Sequence, residues 1–315
     1  MKMTKPISGH VVVFGAGRMG ADIGIAFARA GWRCDVIEPG EASRGHAREY
    51  WSAELARLRA RGSARRLRCH ARAQDVDWKA VDLVIEAVPE DMALKHAVLR
   101  AVDALAPATA VIATNTSSLR ITDVTQVLRD PQRGIGMHFG VPAHILPAVE
   151  VTRGAATSEA TLQAATAWLE ALGKVPVVIQ RDVAGQIINR LQHAMYREIY
   201  HLIDEGIATP RDIDRAVRFG FGLKYSVIGP VVSRDVHGLP VHLAVAAQIY
   251  PTLHNGTAPS RTLARLVEQG REGVRTGSGF YEWDPDTLAQ RLLEFGALLE
   301  AQVKRIRRLG EPLDF

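Results

Sequence analysis

The stretch His10-Val-Val-Val-Phe-Gly-Ala-Gly-Arg-Met-Gly20 limits what this chain can fold into more than any other segment. A short apolar strand runs straight into three glycines, and a helix-forming pattern begins at once. In such a turn Gly15 permits the tight reversal. Gly17 leaves the backbone bare, so a pyrophosphate can approach it, and Gly20 lets the helix pack close to the strand. The unpaired N–H groups and positive dipole end of that helix then face the phosphates. Glycine-rich turns are common, and the triplet gains meaning only from its context. A second strand, Arg33-Cys-Asp-Val-Ile-Glu38, ends on an acid. It lies roughly 20 residues beyond the fingerprint, where a ribose diol is expected. A carboxylate at Glu38 accepts from both hydroxyls and repels a 2′-phosphate, which favours NAD over NADP.

A chain of 315 residues predicts one large or two ordinary domains. With 47% hydrophobic and 23% charged residues it reads as a globular protein with a substantial core. No apolar run reaches the length of about 20 residues that spans a membrane. The N-terminal Met1-Lys-Met-Thr-Lys-Pro6 is basic but leads into a five-residue strand, not a signal-peptide core. Cys34 and Cys69 are too few for a disulfide scaffold, and no Cys/His cluster has zinc spacing. A reducing cytoplasm and no metal are expected. The net charge of +5 concentrates in the arginine-rich run 57–72. This run reads as the solvated face of a helical hairpin. The alternative is a docking surface for the phosphates of a nucleotide-tailed substrate. No aromatic residues interleave the arginines, which argues against nucleic acid.

Strands are predicted at 10–14, 33–38, 82–87, 110–114, 134–138, 147–152 and 175–179, with helices at 18–30, 43–60, 91–105, 120–129 and 158–172. Such alternation predicts an α/β domain whose parallel, doubly wound sheet is covered on both faces. Beyond Gln180-Arg-Asp-Val-Ala-Gly-Gln186 the strand signals vanish. A long helix over 187–203 repeats Leu191, Met195, Ile199 and Ile203 near one face. Further helices are predicted after Thr209-Pro210 and at 239–250, 259–269 and 286–309. The last has a wide apolar face that needs a partner, either its own nucleotide domain or a second subunit. The domains are therefore drawn as 1–184, nucleotide-binding, and 185–315, all-helical.

Four polar groups stand out for chemistry: Ser117 just after a strand, His138 at a strand end, Glu150 in the next strand and Asn189 in the first turn of the long helix. Alcohol oxidation needs a base for the hydroxyl proton, and a histidine with a carboxylate on its other nitrogen suits that task. Ser117 and Asn189 are placed to bind the substrate oxygen. Taken singly, each has a plainer reading. A strand histidine is often a satisfied core residue, Ser117 or Ser118 is a ready cap for the helix at 120–129, and Asn189 is an ordinary early-turn residue. Glu150 is harder to dismiss, because burying an unpaired charge is costly.

Together these segments resemble the 3-hydroxyacyl-CoA dehydrogenase family over nearly the whole chain. Phe14-Gly-Ala-Gly-Arg-Met-Gly20 is similar to its cofactor loop, which adds Arg18 and Met19 to Gly15, Gly17, Gly20 and Glu38 as cofactor-binding residues. Asp82-Leu-Val-Ile-Glu-Ala-Val-Pro-Glu-Asp-Met-Ala-Leu-Lys95 resembles its second cofactor segment and implies Glu90 and Lys95. Asn115-Thr-Ser-Ser-Leu119 resembles the substrate serine motif, implying Ser117, with Asn115 beside the cofactor. Gly136-Met-His-Phe139 through Val149-Glu-Val151 resembles the catalytic pair, implying His138 as base and Glu150 as its partner. Ile188-Asn-Arg-Leu191 implies Asn189 as substrate-binding, and Gly273-Val-Arg-Thr-Gly-Ser-Gly-Phe-Tyr281 implies Arg275 near the cofactor. The resemblance further implies a Rossmann-type domain, a helical C-terminal domain, a homodimer and a role in fatty acid metabolism.

The chain departs from the family at two places beside the expected pocket. Gly140 and Val141 stand where the family has a bulky residue and an amide, and Ala184-Gly185-Gln186 replaces Pro-Gly-Phe. Gly140 and Val141 are therefore expected to shape substrate binding. His144-Ile-Leu-Pro-Ala-Val-Glu150 resembles branches that oxidise free hydroxy acids or hydroxymethyl-pyridine carboxylates without CoA. The expected function is NAD-dependent oxidation of a 3-hydroxyacyl-CoA, or of a related small hydroxy acid, with His138 as base. Two other readings remain. One is the 6-phosphogluconate dehydrogenase relatives, which rely on a helix lysine absent near Asn189. The other is a non-catalytic, crystallin-like or sensor NAD-binding protein.

Overall fold

The computed structural model describes residues 8–310, so the basic segment at Met1 to Pro6 lies outside the described residues. The chain divides into two compact units, Met1–Arg190 and Leu191–Phe315.

The first unit is built on β1 (His10–Phe14), α1 (Arg18–Arg29), β2 (Arg33–Ile37), α2 (Glu41–Arg57), β3 (Leu67–His70), β4 (Leu83–Glu86), α3 (Met92–Leu105), β5 (Val111–Thr114), α4 (Ile121–Thr125), β6 (Gly134–Phe139), β7 (Ala148–Thr152), α5 (Glu159–Ala171) and β8 (Val175–Ile179). The eight strands form one sheet in the order β3-β2-β1-β4-β5-β6-β7-β8. Alternation along each strand splits the core in two. Val11 and Val13 face a cluster with Ile23, Phe27, Trp32 and Trp51, whereas Val12 and Phe14 face Leu99, Val102 and Val124 on the other side. Both faces are covered, as a sheet with crossover helices requires.

Two features correct the sequence reading. The run 57–72 is not a helical hairpin: α2 stops at Arg57, and Leu67–His70 pairs parallel to β2 as the edge strand. Leu67 and Cys69 are only partly buried there, so the strand carried no strong apolar signal. The sheet is also not wholly parallel. β7 runs antiparallel to β6, with β8 parallel to β7. The connection 140–147 is too short for a crossover helix, so the chain turns back on itself.

Asp35 in β2 is fully buried and holds three basic groups: His10 Nε2 at 2.6 Å, His70 Nε2 at 2.7 Å and Arg33 Nε at 2.9 Å. Burial pushes its carboxyl up, but His10, His70 and Arg33 outweigh it and bring the pKa to about 2. The folded state thus favours the carboxylate. The stabilisation is complete above the ordinary carboxylate range and is lost as pH falls towards 2. Asp35→Asn is expected to lower stability near pH 7 by about 2 kcal/mol, with the gap from wild type closing in acid. Denaturant unfolding at a series of pH values measures this.

The second unit is helical. α6 (Ile188–Asp204) has its first turn at the unit boundary. It is followed by α7 (Pro210–Ala216), α8 (Gly222–Ile228), α9 (Pro230–His237), α10 (Leu239–Ile249), α11 (Arg261–Glu268) and α12 (Pro285–Arg307). Side chains cap three of these starts: Thr209 accepts from Asp212 N, Ser260 from Leu263 N and Asp284 from Asp286 N. The short α8 and α9 were not predicted, because Gly229 and Pro230 break the apolar period between them. Large apolar side chains of this unit stand exposed, among them Phe219 at 70%, Val231 and Leu243 at 75% and Leu298 at 66%. No helix among the described residues is long and apolar enough to cross a membrane.

Candidate active site

The site follows from the antiparallel return. The β6–β7 register sets His138 directly opposite Glu150. Cross-strand partners have their Cβ atoms only about 5 Å apart, within reach for an imidazole and a carboxylate. Nδ1 of His138 lies 2.7 Å from Glu150 Oε2. The other carboxylate oxygen, Oε1, accepts from the backbone N–H of Ile187 at 2.7 Å and Ile188 at 2.8 Å, at the start of α6. Glu150 is fully buried. Burial raises its pKa, yet His138 and the two N–H groups outweigh that and hold it below the usual carboxylate value. A carboxylate fixed in this way keeps the proton on His138 Nδ1 and leaves Nε2 as the working nitrogen.

Nε2 faces Ser117 Oγ at 3.2 Å. The serine loop follows β5 at the carboxyl edge of the parallel strands. Glu90 shapes it, accepting from Thr116 Oγ1 at 2.5 Å, Ser117 N at 3.1 Å, and Ser118 N and Oγ at 2.8 Å each. Burial of Glu90 opposes ionisation, but Thr116, Ser118 and nearby Lys95 bring its pKa down to about 2. Asn189 Nδ2 donates to the carbonyl of Ser117 at 3.0 Å. Asn115 Oδ1 accepts from Phe139 N at 2.9 Å, which pins the strand end beside His138. Ser117, His138, Glu150 and Asn189 are thus one connected group. Neither serine caps the next helix. Asp182 does so, accepting from Ile121 N and Thr122 N, and α4 ends at Thr125.

The glycine loop lies at the same edge of the sheet. Gly15 has φ +99°, a conformation that L side chains rarely adopt. α1 begins after Gly17 with no side-chain cap, so its first N–H groups are open to an anion. A Cβ built on Gly17 would meet nothing within 4 Å. Glu38 follows β2, with Oε2 accepting from Ala16 N at 3.1 Å and Oε1 from Gly40 N at 2.9 Å, which sets an acid against the loop. These residues fit a dinucleotide: bare backbone and a helix end for the phosphates, an acid for the ribose. Arg18 is largely exposed at the helix start, and Met19 packs on the core. Lys95 is only 1% exposed. Its ammonium is held by Glu86 Oε1 at 2.8 Å, Val88 O at 3.2 Å and Glu90 Oε2 at 3.3 Å, so it braces the serine loop from beneath. Arg275 belongs to the second unit and pairs with Glu272 within its own loop. Gly140 and Val141 open the β6–β7 connection. A Cβ on Gly140 would come 3.1 Å from Leu146 Cδ1, and Val141 is 58% exposed.

The structure reveals one residue that the sequence reading passed over, Glu86, and a role for Gln186, which the sequence marked only as a departure. Glu86, buried at the end of β4, binds Lys95, Val88 N and Thr114 Oγ1. An acid within an otherwise apolar strand is the same signal that drew attention to Glu150. Gln186, also buried, donates to the Thr116 carbonyl at 2.7 Å and accepts from Thr152 Oγ1 at 3.3 Å. It joins the serine loop to β7 at one of the two places where the chain departs from its family pattern.

Family models agree with this geometry. The NAD-binding domain of 3-hydroxyacyl-CoA dehydrogenase matches residues 10–183, and the C-terminal domain of the same enzyme matches residues 185–283. This chain belongs to the 3-hydroxyacyl-CoA dehydrogenase family. It is an NAD-dependent oxidoreductase, with the Rossmann-type sheet and helical C-terminal domain of that family. A probable 3-hydroxybutyryl-CoA dehydrogenase of Bacillus subtilis is 33% identical, over 88% of this chain and 98% of the relative. Among solved structures, a 5-formyl-3-hydroxy-2-methylpyridine 4-carboxylic acid 5-dehydrogenase, described as an NAD+-dependent dismutase, superposes with a TM-score of 0.90. It is 28% identical, over 96% of this chain and 99% of that one. FadB2 of M. tuberculosis gives a TM-score of 0.73 at 32% identity, over 87% of this chain and 98% of that one.

Proposed function

We propose that the protein interconverts a small unesterified hydroxy or hydroxymethyl carboxylate and its carbonyl form, with His138 as general base and acid. The observation that carries the substrate class is the superposition along almost the full length of both chains, at a TM-score of 0.90, on a dehydrogenase of a free pyridine carboxylate. The replacement of a bulky residue and an amide by Gly140 and Val141 supports it. Bound NAD supplies the acceptor for hydride. His138 Nε2 takes the hydroxyl proton while Glu150 stabilises the imidazolium, and Ser117 and Asn189 position the substrate oxygen. Gly15, Gly17, Arg18, Met19, Gly20, Glu38, Glu90, Lys95, Asn115 and Arg275 form the proposed cofactor set, with the nucleotide domain at 1–184 and the substrate and dimerisation domain at 185–315.

A 3-hydroxyacyl-CoA is the second reading, favoured by the 33% identity to a 3-hydroxybutyryl-CoA dehydrogenase. It would place the enzyme in fatty acid metabolism. NADH oxidation followed by fluorescence separates the two, with acetoacetyl-CoA set against free 3-oxo acids, dehydrocarnitine and aromatic aldehyde carboxylates. Turnover confined to unesterified compounds supports the first reading, and turnover confined to the thioester overturns it. Each oxidation releases one proton, so the apparent equilibrium constant for oxidation is expected to rise about tenfold per pH unit, with acid favouring reduction. End-point NADH absorbance at several pH values measures this.

The exposed apolar side chains of the helical unit support a homodimer through that unit. The two free cysteines, Cys34 and Cys69, fit a cytoplasmic protein. Light scattering on the eluting protein is expected to give twice the chain mass of 34.4 kDa. A monomer would remove the need for a covered helical face.

A further inference from the structure

The loop between the two members of the catalytic pair is fastened to the helix of the glycine loop by a buried charged network that the proposed reaction does not use. Asp22 lies on α1, one turn beyond Arg18, and is fully buried. Its Oδ2 accepts from the backbone N–H of Ala143 at 3.1 Å and lies 3.4 Å from Arg18 Nε, and its Oδ1 accepts from Tyr50 OH at 2.5 Å. The imidazole of His144 stands between two carboxylates, with Nδ1 3.1 Å from Asp22 Oδ1 and Nε2 2.8 Å from Glu54 Oε1 on α2. Arg57 binds the outer side of Glu54, and Arg18 stacks on the ring of Tyr50. From the other side the ammonium of Lys174 donates to the carbonyls of Ala143 and Leu146. A buried carboxylate in such a place needs a cation or a proton, because an unpaired buried charge is strongly destabilising.

We propose that His144 is a positioning residue: as an imidazolium between Asp22 and Glu54 it locks the 140–147 loop, and with it the His138–Glu150 pair, to the start of the helix that receives the dinucleotide. The loop leaves β6 one residue after His138 and enters β7 two residues before Glu150, so a shift in its path moves both side chains. Arg18 is the exposed end of the same network, beside the glycine loop. Burial disfavours the charged ring, but Asp22 and Glu54 outweigh it and raise the pKa of His144 above the ordinary histidine value. Tyr50, Arg18, Arg57 and Lys174 are the other titratable groups that the network brings together. The lock therefore holds at neutral pH and releases as pH rises through the raised value.

This inference rests on the roles given to His138 and Glu150, not on which hydroxy acid is turned over. Its test is His144→Gln, which keeps a neutral polar side chain of similar reach, beside Glu54→Gln, which removes the outer carboxylate and leaves Asp22. Hydrogen exchange, corrected for intrinsic rates, is read in residues 140–147 and 18–24 at pH 6.5 and pH 9. In wild type both segments are expected to lose protection together at the higher pH. In His144→Gln both are unprotected at either pH. On the substrate that wild type turns over, His144→Gln is expected to lose about ten- to a hundredfold in kcat at pH 6.5, with KM for that substrate within threefold. Glu54→Gln is expected to keep wild-type kcat at pH 6.5 and to lose it at a lower pH than wild type does. Exchange that changes in only one segment, or a His144→Gln enzyme with the kcat and pH profile of wild type, overturns the proposal. The exchange measurement needs no substrate, so a wrong substrate class would leave it standing.

Discussion

His138→Gln is expected to lower kcat by about 10²- to 10⁴-fold in both directions, while the NADH dissociation constant changes less than threefold. Glutamine keeps a polar side chain of similar length, so the β6–β7 pairing and the hydrogen bond of Asn115 to Phe139 N remain. What it cannot do is accept a proton at Nε2 and stabilise the charge against Glu150. The residual rate is that of a substrate positioned by Ser117 and Asn189 without a base. Stopped-flow NADH absorbance for the chemical step and NADH fluorescence titration for binding separate the two effects. Turnover within a few-fold of wild type would remove His138 as the base. Loss of NADH binding in step with kcat would make its role structural.

Gly20→Ala is expected to leave little folded protein. A Cβ at this position would lie 1.9 Å from the Gly15 carbonyl oxygen and 2.9 Å from its carbon, and both belong to the backbone of the glycine loop. Gly15 is tied in place, since its N–H is bonded to Ile37 O at 2.8 Å. α1 must therefore shift away from β1, opening the core around Ile23 and Phe27. Losses of several kcal/mol are the usual result of overpacking against backbone that cannot relax. Gly17→Ala is the control. Its Cβ meets nothing in the protein, so it is expected to melt within a few degrees of wild type and to weaken NADH binding by 100-fold or more, because the methyl occupies the approach of the pyrophosphate. Thermal melts and NADH fluorescence of the two variants should diverge in this way. Equal behaviour would mean that the two glycines do not have separate roles.

Much of the first unit could be read from residues because its signals are local. Apolar runs of strand length, glycines between strand and helix, and caps such as Ser158 before α5 each act within a few residues. β3 escaped because an edge strand is half solvated, so Leu67, Arg68, Cys69 and His70 need no apolar run. α8 and α9 escaped because Gly229 and Pro230 interrupt the apolar period between two helices that are each only two turns long. Asp22 escaped for the opposite reason. Its acid on an apolar helix face draws its partners from Tyr50, Ala143 and His144, up to 122 positions away, and no local pattern announces them.

The amino-acid sequence by itself determined the alternation of strands and helices in most of the first unit, the glycine turn, the acid that follows β2 and the identity of the four polar groups, because these depend on side-chain size, backbone freedom and hydrogen-bonding type at neighbouring positions. Only the tertiary structure decided that β7 returns antiparallel, that His138 and Glu150 face each other in register, and that Glu90, Gln186 and His144 hold the surrounding loops. Those outcomes are set by which strands pair and by which buried charges find partners across the sheet. Such pairings exist only once distant segments have packed.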